Sequence, residues 1–361
     1  MKIGIISIHA LRNNFGSVLQ SYALYRFLKE HGHKVMIINY MPQYFRTAAG
    51  LWGKIKLLLT NLCFFHSYIK RKKRFDEFIL SSSMTKEYMD FDELKSNPPQ
   101  ADCYIAGSDQ LWNPTFPCGR DDAFYLSFTD SCNKMAYSTS IGTASLCDSD
   151  YDRIVKKISG FKYVSVREKL SCEKLIQHGR TDTRHVCDPV FLLTKEQYRA
   201  LYAFKPREKY IFVYAVEKDE KLEKVVNILA DKFKCKIITV GGFKRKSRGY
   251  FPRWIGPKEF LGFLDNAEFV VVSSFHGTAF SLIFEKQFVV VPPRQNSLRL
   301  ASILDIAGLQ DRMVLDSVEI DDILQRSINY NIVTRRLTKH IEDSKEFLLT
   351  SLRNIETSLS N

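Results

Sequence analysis

The sequence predicts an α/β chain made of two doubly wound halves, and three observations carry that prediction. Residues 2–8 are apolar and β-branched, residues 16–30 place apolar side chains at helical spacing, and residues 35–39 are apolar again. A β-α-β opening of this kind calls for a parallel sheet. The same order starts afresh with a strand at 210–216, a helix at 222–233 and a strand at 236–240. Finally, Phe269–Val272 is a run of large and β-branched residues that passes straight into Ser273-Ser274 and an apolar helix from about 278 to 284. Strand, tight turn and helix follow one another there, at the kind of edge where open α/β sheets hold ligands.

The other elements follow in order. After the first strand, residues 9–15 form a loop, and Gly32 ends the first helix. That loop lacks G-x-G-x-x-G, so a bound dinucleotide is not supported. Residues 51–80 read as a helical, basic and aromatic insertion. There Lys70-Arg71-Lys72-Lys73-Arg74 follows Leu57-Leu58-Leu59 and Phe64-Phe65. Such a run suits a solvated helix face or an amphipathic surface lying on anionic lipid. Nothing else supports a nucleic-acid patch. Strands are expected at 101–106, 134–141 and Tyr163–Val166, and Asp188-Pro189-Val190 closes the first half. The polar stretch 194–209 crosses to the second half. Lys244-Arg245-Lys246-Ser247-Arg248 is a basic loop, residues 258–266 a helix and 288–291 a strand. A further helix runs to residue 307, and 335–361 reads as one long helix packing back on the first domain. The expected domains are therefore 1–195 and 205–330, with the C-terminal helix beyond.

Composition limits the function classes. The chain has 361 residues, 45% hydrophobic and 26% charged, as in a soluble globular protein of about two domains. The net charge of +13 points to an anionic partner. Eight cysteines occur without a C-x-x-C pair, which argues against a zinc ribbon or a dense disulfide framework. Reduced thiols in a cytoplasmic protein are the simplest account. Residues 1–8 read as a first strand rather than a signal peptide. No apolar run reaches the roughly 18 residues that a membrane span needs.

The candidate residues cluster at strand ends. His276 stands where a strand becomes a helix and is the leading catalytic candidate, with Ser274, Gly277 and Thr278 around it. The bland alternative is a structural histidine or a plain cap. Ser108, Asp109, Gln110 and Asn113 follow the strand that ends in Gly107, and are groups that orient sugar hydroxyls. Asp109 is the second catalytic candidate, as a base. The alternative here is a turn held by Asx bonds, with Trp112 as a core plug. Arg167, at the end of Tyr163–Val166, suits a bidentate grip on carboxylate or phosphate, or else a salt bridge with Glu168 or another acid. Arg294, Asn296 and Arg299 follow the 288–291 strand.

An ordered series of motifs resembles the polysaccharide pyruvyl transferase family. It runs through Asn14-Phe15-Gly16 with Gln20-Ser21-Tyr22-Ala23-Leu24, and Gly107-Ser108-Asp109-Gln110-Leu111-Trp112-Asn113-Pro114. Then come Tyr137-Ser138-Thr139-Ser140-Ile141-Gly142, Val166-Arg167-Glu168, Asp188-Pro189-Val190 and Ser274-Phe275-His276-Gly277-Thr278. The resemblance implies a GT-B-like fold, two Rossmann-like domains facing a cleft, with the acceptor side in the first and the donor side in the second. It brings Asn14, Gly16 and Gln20 into the substrate-binding set, makes His276 the catalytic histidine and sets Arg167 against the donor. Some relatives carry Arg-Leu-His where this chain has Ser274-Phe275-His276, and Arg294 or Arg299 would then supply the missing cation. The second position of Asn14-Phe15-Gly16 is more often Tyr in the family.

What the resemblance implies is transfer of the pyruvyl group of phosphoenolpyruvate onto a sugar, as a cyclic ketal, in bacterial capsule or exopolysaccharide biosynthesis. The sugar acceptor would be lipid-linked or nucleotide-linked. No cofactor and no metal are expected, and no nucleic-acid partner. The protein would be cytoplasmic, with peripheral contact at the inner membrane face through the basic segment 51–80. The alternatives are a GT-B glycosyltransferase using a nucleotide sugar and a non-catalytic carbohydrate-binding protein.

Overall fold

The structure is a computed structural model that describes residues 1–9, 14–46, 65–143, 145–206, 208–217, 219–241, 249–293, 298–316 and 320–360. Seven parallel strands form the first sheet: β1 (Lys2–Ile6), β2 (Lys34–Tyr40), β3 (Met84–Tyr88), β4 (Cys103–Ala106), β5 (Lys134–Thr139), β6 (Tyr163–Val166) and β7 (Arg184–His185). Their order is β3-β2-β1-β4-β5-β6-β7. The second sheet is also parallel and holds β8 (Tyr210–Ala215), β9 (Lys236–Gly241), β10 (Gly249–Tyr250), β11 (Phe269–Val272) and β12 (Phe288–Val290), in the order β10-β9-β8-β11-β12. Both orders reverse direction beside the first strand, between β1 and β4 in one sheet and between β8 and β11 in the other. In an open α/β sheet that reversal opens a crevice at the carboxyl ends of the two strands.

Two compact units result. One comprises Met1–Tyr68, Phe75–Leu192 and His340–Asn361; the other comprises Ile69–Arg74 and Leu193–Lys339. The chain thus contributes to each unit more than once: residues 340–361 return to the first, and Ile69–Arg74 belong with the second. Much of the first core is aromatic. Trp112 is fully buried, donates Nε1–H to the Phe124 carbonyl at 3.1 Å and stacks on Tyr125. In the second unit the face under the helix Glu220–Phe233 is aliphatic, filled by Ile211, Val213, Val225, Leu229, Val271 and Val289, while Phe212, Phe260 and Phe280 make the opposite face aromatic.

Helix ends follow capping chemistry rather than hydrophobic runs. The helix Phe275–Ile283 begins three residues ahead of its expected start at 278, because Ser274 caps it. The C-terminal helix is Tyr330–Ser360, not 335–361. Its first residue anchors it: the Tyr330 hydroxyl donates to the carbonyls of Ser281 and Lys286. Further along, the Ser344 hydroxyl accepts the N–H of Cys187, and Phe347 meets Tyr163 edge-on, so residues 340–361 pack within the first unit. Of the basic segment, 51–64 lie outside the described residues; the helix Phe65–Ile79 carries the rest. Among the described residues no helix is long and apolar enough to cross a membrane, and the seven cysteines described are all free thiols.

Candidate active site

In the second unit, the site grows out of the end of β11. Ser273 and Ser274 follow its last residue, Val272, which is in register with Tyr214 of β8. Ser273 Oγ accepts the Val216 N–H at 2.9 Å, tying the two strand ends across the switch point. Ser274 has extended backbone (φ −126°, ψ 150°), and its Oγ accepts the Gly277 N–H at 3.0 Å. The positive end of the helix dipole therefore opens at the switch point, with His276 on its first turn. His276 is 7% exposed, and its ring meets Phe275 at right angles. Gly277 is required by packing: a Cβ there would lie 2.7 Å from Val272 Cγ1 and 2.8 Å from Ser274 Oγ. The Thr278 hydroxyl bonds back to the Ser274 carbonyl at 3.1 Å and holds the turn. Arg299 is half-buried on the helix Leu298–Ala307, which packs against the His276 helix. Arg294 and Asn296 lie outside the described residues, as does the basic loop 244–248.

In the first unit, the carboxyl ends of β4, β5 and β6 converge on one buried polar network. Arg167 Nη1 donates to Asp188 Oδ2 at 2.6 Å and its Nε donates to Glu168 Oε1 at 3.3 Å. Ser108 Oγ donates to the same Asp188 oxygen at 2.9 Å, and Ser140 Oγ donates to Glu168 Oε1 at 2.5 Å. Burial disfavours the charge on Arg167, but Asp188, Glu168 and Asp109 outweigh it and raise its pKa. At 3% exposure, Arg167 is paired with carboxylates, the salt-bridge alternative to a grip on a ligand.

Two strained residues shape this network. Asp109 has φ +78° and Ser138 has φ +57°, both in the left-handed region. Ser138 falls in an irregular stretch of the β5–β6 register between Ala136 and Thr139. Asp109 is 6% exposed. Its carboxylate accepts the Gln110 N–H at 3.0 Å, and its carbonyl accepts the Ser140 N–H at 2.9 Å. Gln110 and Asn113 are bonded to each other, Nδ2 to Oε1 at 2.8 Å, and Asn113 Oδ1 also accepts from Thr115. They hold the turn above Trp112.

At the β1–β4 switch point the packing is tight. A Cβ on Gly107 would approach Ser7 Cβ to 3.0 Å, and the hydroxyls of Ser7 and Ser21 are hydrogen-bonded. Asn14 caps the helix Phe15–Glu30, its Oδ1 accepting the Ser17 N–H at 3.2 Å, and Gly16 is buried in the first turn. Gln20 is fully buried; its Nε2 donates to the Ser17 carbonyl and to Ser21 Oγ, both at 2.9 Å, while its Oε1 has no hydrogen-bond partner among the described residues.

His9, Glu168 and Asp188 were not among the sequence's candidates. His9 is 2% exposed, donates Nδ1–H to the Ser7 carbonyl at 3.0 Å and places Nε2 3.1 Å from Asn39 Oδ1. Burial lowers its pKa, against the Ser7 and Asn39 bonds and the charge of Glu87. No local pattern marks His9, which follows β1 as one polar residue among apolar neighbours. Glu168 and Asp188 lay within the quoted motifs, and only their contacts single them out. The candidates thus gather into two sets, one in each unit, each at the carboxyl ends of parallel strands.

A family model described as polysaccharide pyruvyl transferase matches residues 14–295. The chain belongs to the polysaccharide pyruvyl transferase family. All six motifs of the resemblance fall within the matched span. No curated protein matches the chain.

Solved structures resemble this chain in fold. A putative UDP-N-acetylglucosamine 2-epimerase from Listeria monocytogenes aligns with a TM-score of 0.60 at 10% identity, covering 99% of this chain and 97% of that one. The UDP-N-acetylglucosamine 2-epimerase of Rickettsia bellii gives 0.54 at 11% identity, with the same two coverages. That of Neisseria meningitidis, bound to UDP-GlcNAc, gives 0.51 at 12% identity over the whole of both chains. At such identities the likeness concerns the fold alone, which is α/β and GT-B-type.

Proposed function

We propose that this member of the polysaccharide pyruvyl transferase family takes phosphoenolpyruvate as donor and builds a cyclic ketal across two hydroxyls of a sugar, during synthesis of a surface polysaccharide. The observation that carries the reading is the position of His276, on the first turn of a Ser274-capped helix at the β8–β11 switch point. The donor is a dianionic phosphate joined to a carboxylate, and a helix N-terminus with a titratable imidazole suits such charge. Arg299, with Arg294 and Asn296 in the same stretch of chain, completes the donor set on this reading. The acceptor set is Asn14, Gly16, Gln20, Ser108, Asp109, Gln110 and Asn113. The acceptor sugar is lipid-linked or nucleotide-linked.

The chemistry has two stages. A proton delivered to the methylene carbon makes C2 of the donor electrophilic, and a sugar oxygen bonds to C2 as its hydroxyl proton leaves. The C2–O bond to phosphate then breaks, and the second hydroxyl closes the ring. The proton from that hydroxyl leaves with inorganic phosphate. His276 as imidazolium is the proposed acid and Asp109 the proposed base for the first hydroxyl. Arg167 is assigned to the network that positions Asp109, Ser108 and Asp188.

The test is incubation with phosphoenolpyruvate and a panel of sugar acceptors, following phosphate release and the mass of the sugar. Release of one phosphate for each ketal formed is the expected result. Turnover of a nucleotide sugar without phosphoenolpyruvate would replace this reading by the glycosyltransferase one. Sugar binding with no turnover of either donor would leave a binding protein.

A further inference from the structure

The helix Phe65–Ile79 has a buried side and an exposed one. Phe75 and Phe78 are buried, their rings 5.2 Å from Phe15 and 4.9 Å from Tyr22. Residues 65, 68, 69, 72 and 73 follow the i, i+3, i+4, i+7, i+8 spacing of a single helix face. On that face Phe65 is 61% exposed, Tyr68 44% and Ile69 46%, and Lys72 and Lys73 are exposed next to them. The first ten residues of the helix, Phe-His-Ser-Tyr-Ile-Lys-Arg-Lys-Lys-Arg, contain no acid, and Asp76 and Glu77 follow one turn beyond the lysines. The outward face is thus apolar at one end and cationic at the other.

We propose that this face docks on an anionic bilayer surface. Phe65, Tyr68 and Ile69 would enter the boundary between headgroups and acyl chains, and Lys72 and Lys73 would meet lipid phosphates. Charge selects the partner: five of these ten residues are Lys or Arg, and the net charge of +13 attracts the whole chain to a negative surface. The apolar residues then distinguish lipid from nucleic acid. A nucleic acid would use the lysines and stack on the aromatic rings, but would leave Ile69 in water; a bilayer takes up all three apolar side chains. The proposal stands apart from the assignment of the reaction, because it concerns no residue of either candidate set.

The experiment is flotation of the full-length protein with vesicles of phosphatidylcholine alone or phosphatidylcholine mixed with phosphatidylglycerol. Two variants accompany it, the charge reversal Lys72→Glu/Lys73→Glu and the apolar deletion Phe65→Ser/Tyr68→Ser/Ile69→Ser. All five side chains are exposed, so both variants should keep the wild-type melting temperature. Wild type is expected to float with the anionic vesicles and not with phosphatidylcholine. Each variant should lose at least about tenfold in partitioning, a modest loss for two charges or three apolar groups at an interface. Three results would overturn the proposal: no flotation with anionic vesicles, equal flotation with both kinds, or flotation that neither folded variant changes. Retention of an oligonucleotide by protein that ignores vesicles would do the same.

Discussion

Ser273 Oγ accepts the Val216 N–H at 2.9 Å, so the end of β11 is fastened to the end of β8 where the second sheet reverses its strand order. His276 follows three residues later. Its position is set by a strand end, a cross-strand hydrogen bond and a capped helix, all of which survive removal of the imidazole.

His276→Ala should therefore fold normally and lose at least about two orders of magnitude in kcat, the usual scale for a lost acid–base group. Steady-state kinetics with phosphoenolpyruvate, beside a melting curve, decide it. A variant within a few-fold of wild type would remove His276 from the chemistry.

Gly277→Ala should be far worse than its one methyl suggests. The new Cβ would meet Val272 Cγ1 at 2.7 Å, and Val272 is a fully buried strand residue with little room to yield. Overpacking of this kind costs about 1–3 kcal/mol. Denaturant unfolding measures it, and a neutral outcome would mean that β11 and its helix can separate freely.

Asp109 keeps a left-handed backbone and bonds the next N–H through its own carboxylate. Asparagine tolerates that backbone and retains an oxygen for the bond. Asp109→Asn should thus hold stability to within about 0.5 kcal/mol while activity drops by about a hundredfold, if the carboxylate is the base. Full activity in the folded variant would restrict Asp109 to shaping the turn.

Arg167 lies between Asp188 and Glu168 in a buried network. Removing one partner of a buried ion pair costs about 3–5 kcal/mol, because the other charge is left unpaired. Arg167→Met should unfold at clearly lower denaturant than wild type, with Arg167→Lys in between, since lysine lacks the planar fork. The KM for phosphoenolpyruvate, measured on the lysine variant, tests for a direct grip on the donor. Unchanged stability in both variants would contradict the pairing.

Acid should loosen the C-terminal helix. His340 lies beside His185, with ring centroids 4.8 Å apart. Burial and His185 push its pKa down to about 4, against the opposing charge of Asp343. His185 is lowered as well, by burial and by Lys169, although its bond to the Arg167 carbonyl opposes this. Both rings are neutral when folded and take up protons near pH 6.5 when unfolded, so stability is full above pH 6.5 and falls as pH drops towards 4. His340→Gln should make that fall shallower. His9 and His33 shift in the same direction, so some slope will persist. Melting temperatures between pH 7 and pH 4 provide the comparison, and identical profiles would show that the pair is not coupled to folding.

Much of the chain's local structure was legible in its residues. Tyr163–Val166 and Phe269–Val272 coincide with their expected bounds, because a short apolar run between polar turns has few ways to be a strand. Helix starts were less legible. Ser274 caps its helix before the apolar run begins, and Tyr330 is anchored by carbonyls some 45 residues away in the chain, which hydrophobic spacing does not register.

By itself, the sequence determined the two β-α-β openings, the succession of strands and helices and the family, since periodicity, caps and ordered motifs are local properties of the chain. Only the tertiary structure decided that β8 lies beside β11, that Arg167 meets Asp188 across 21 residues, and that Asp109 and Ser138 take left-handed backbone. It also decided that His9 is buried just beyond β1, against Asn39 of β2, while Phe65, Tyr68 and Ile69 face outward. The physical reason is the same in each case. Parallel strands pair only through crossovers, and an ion pair or a buried face is defined by what lies opposite in space, which no spacing along the chain records.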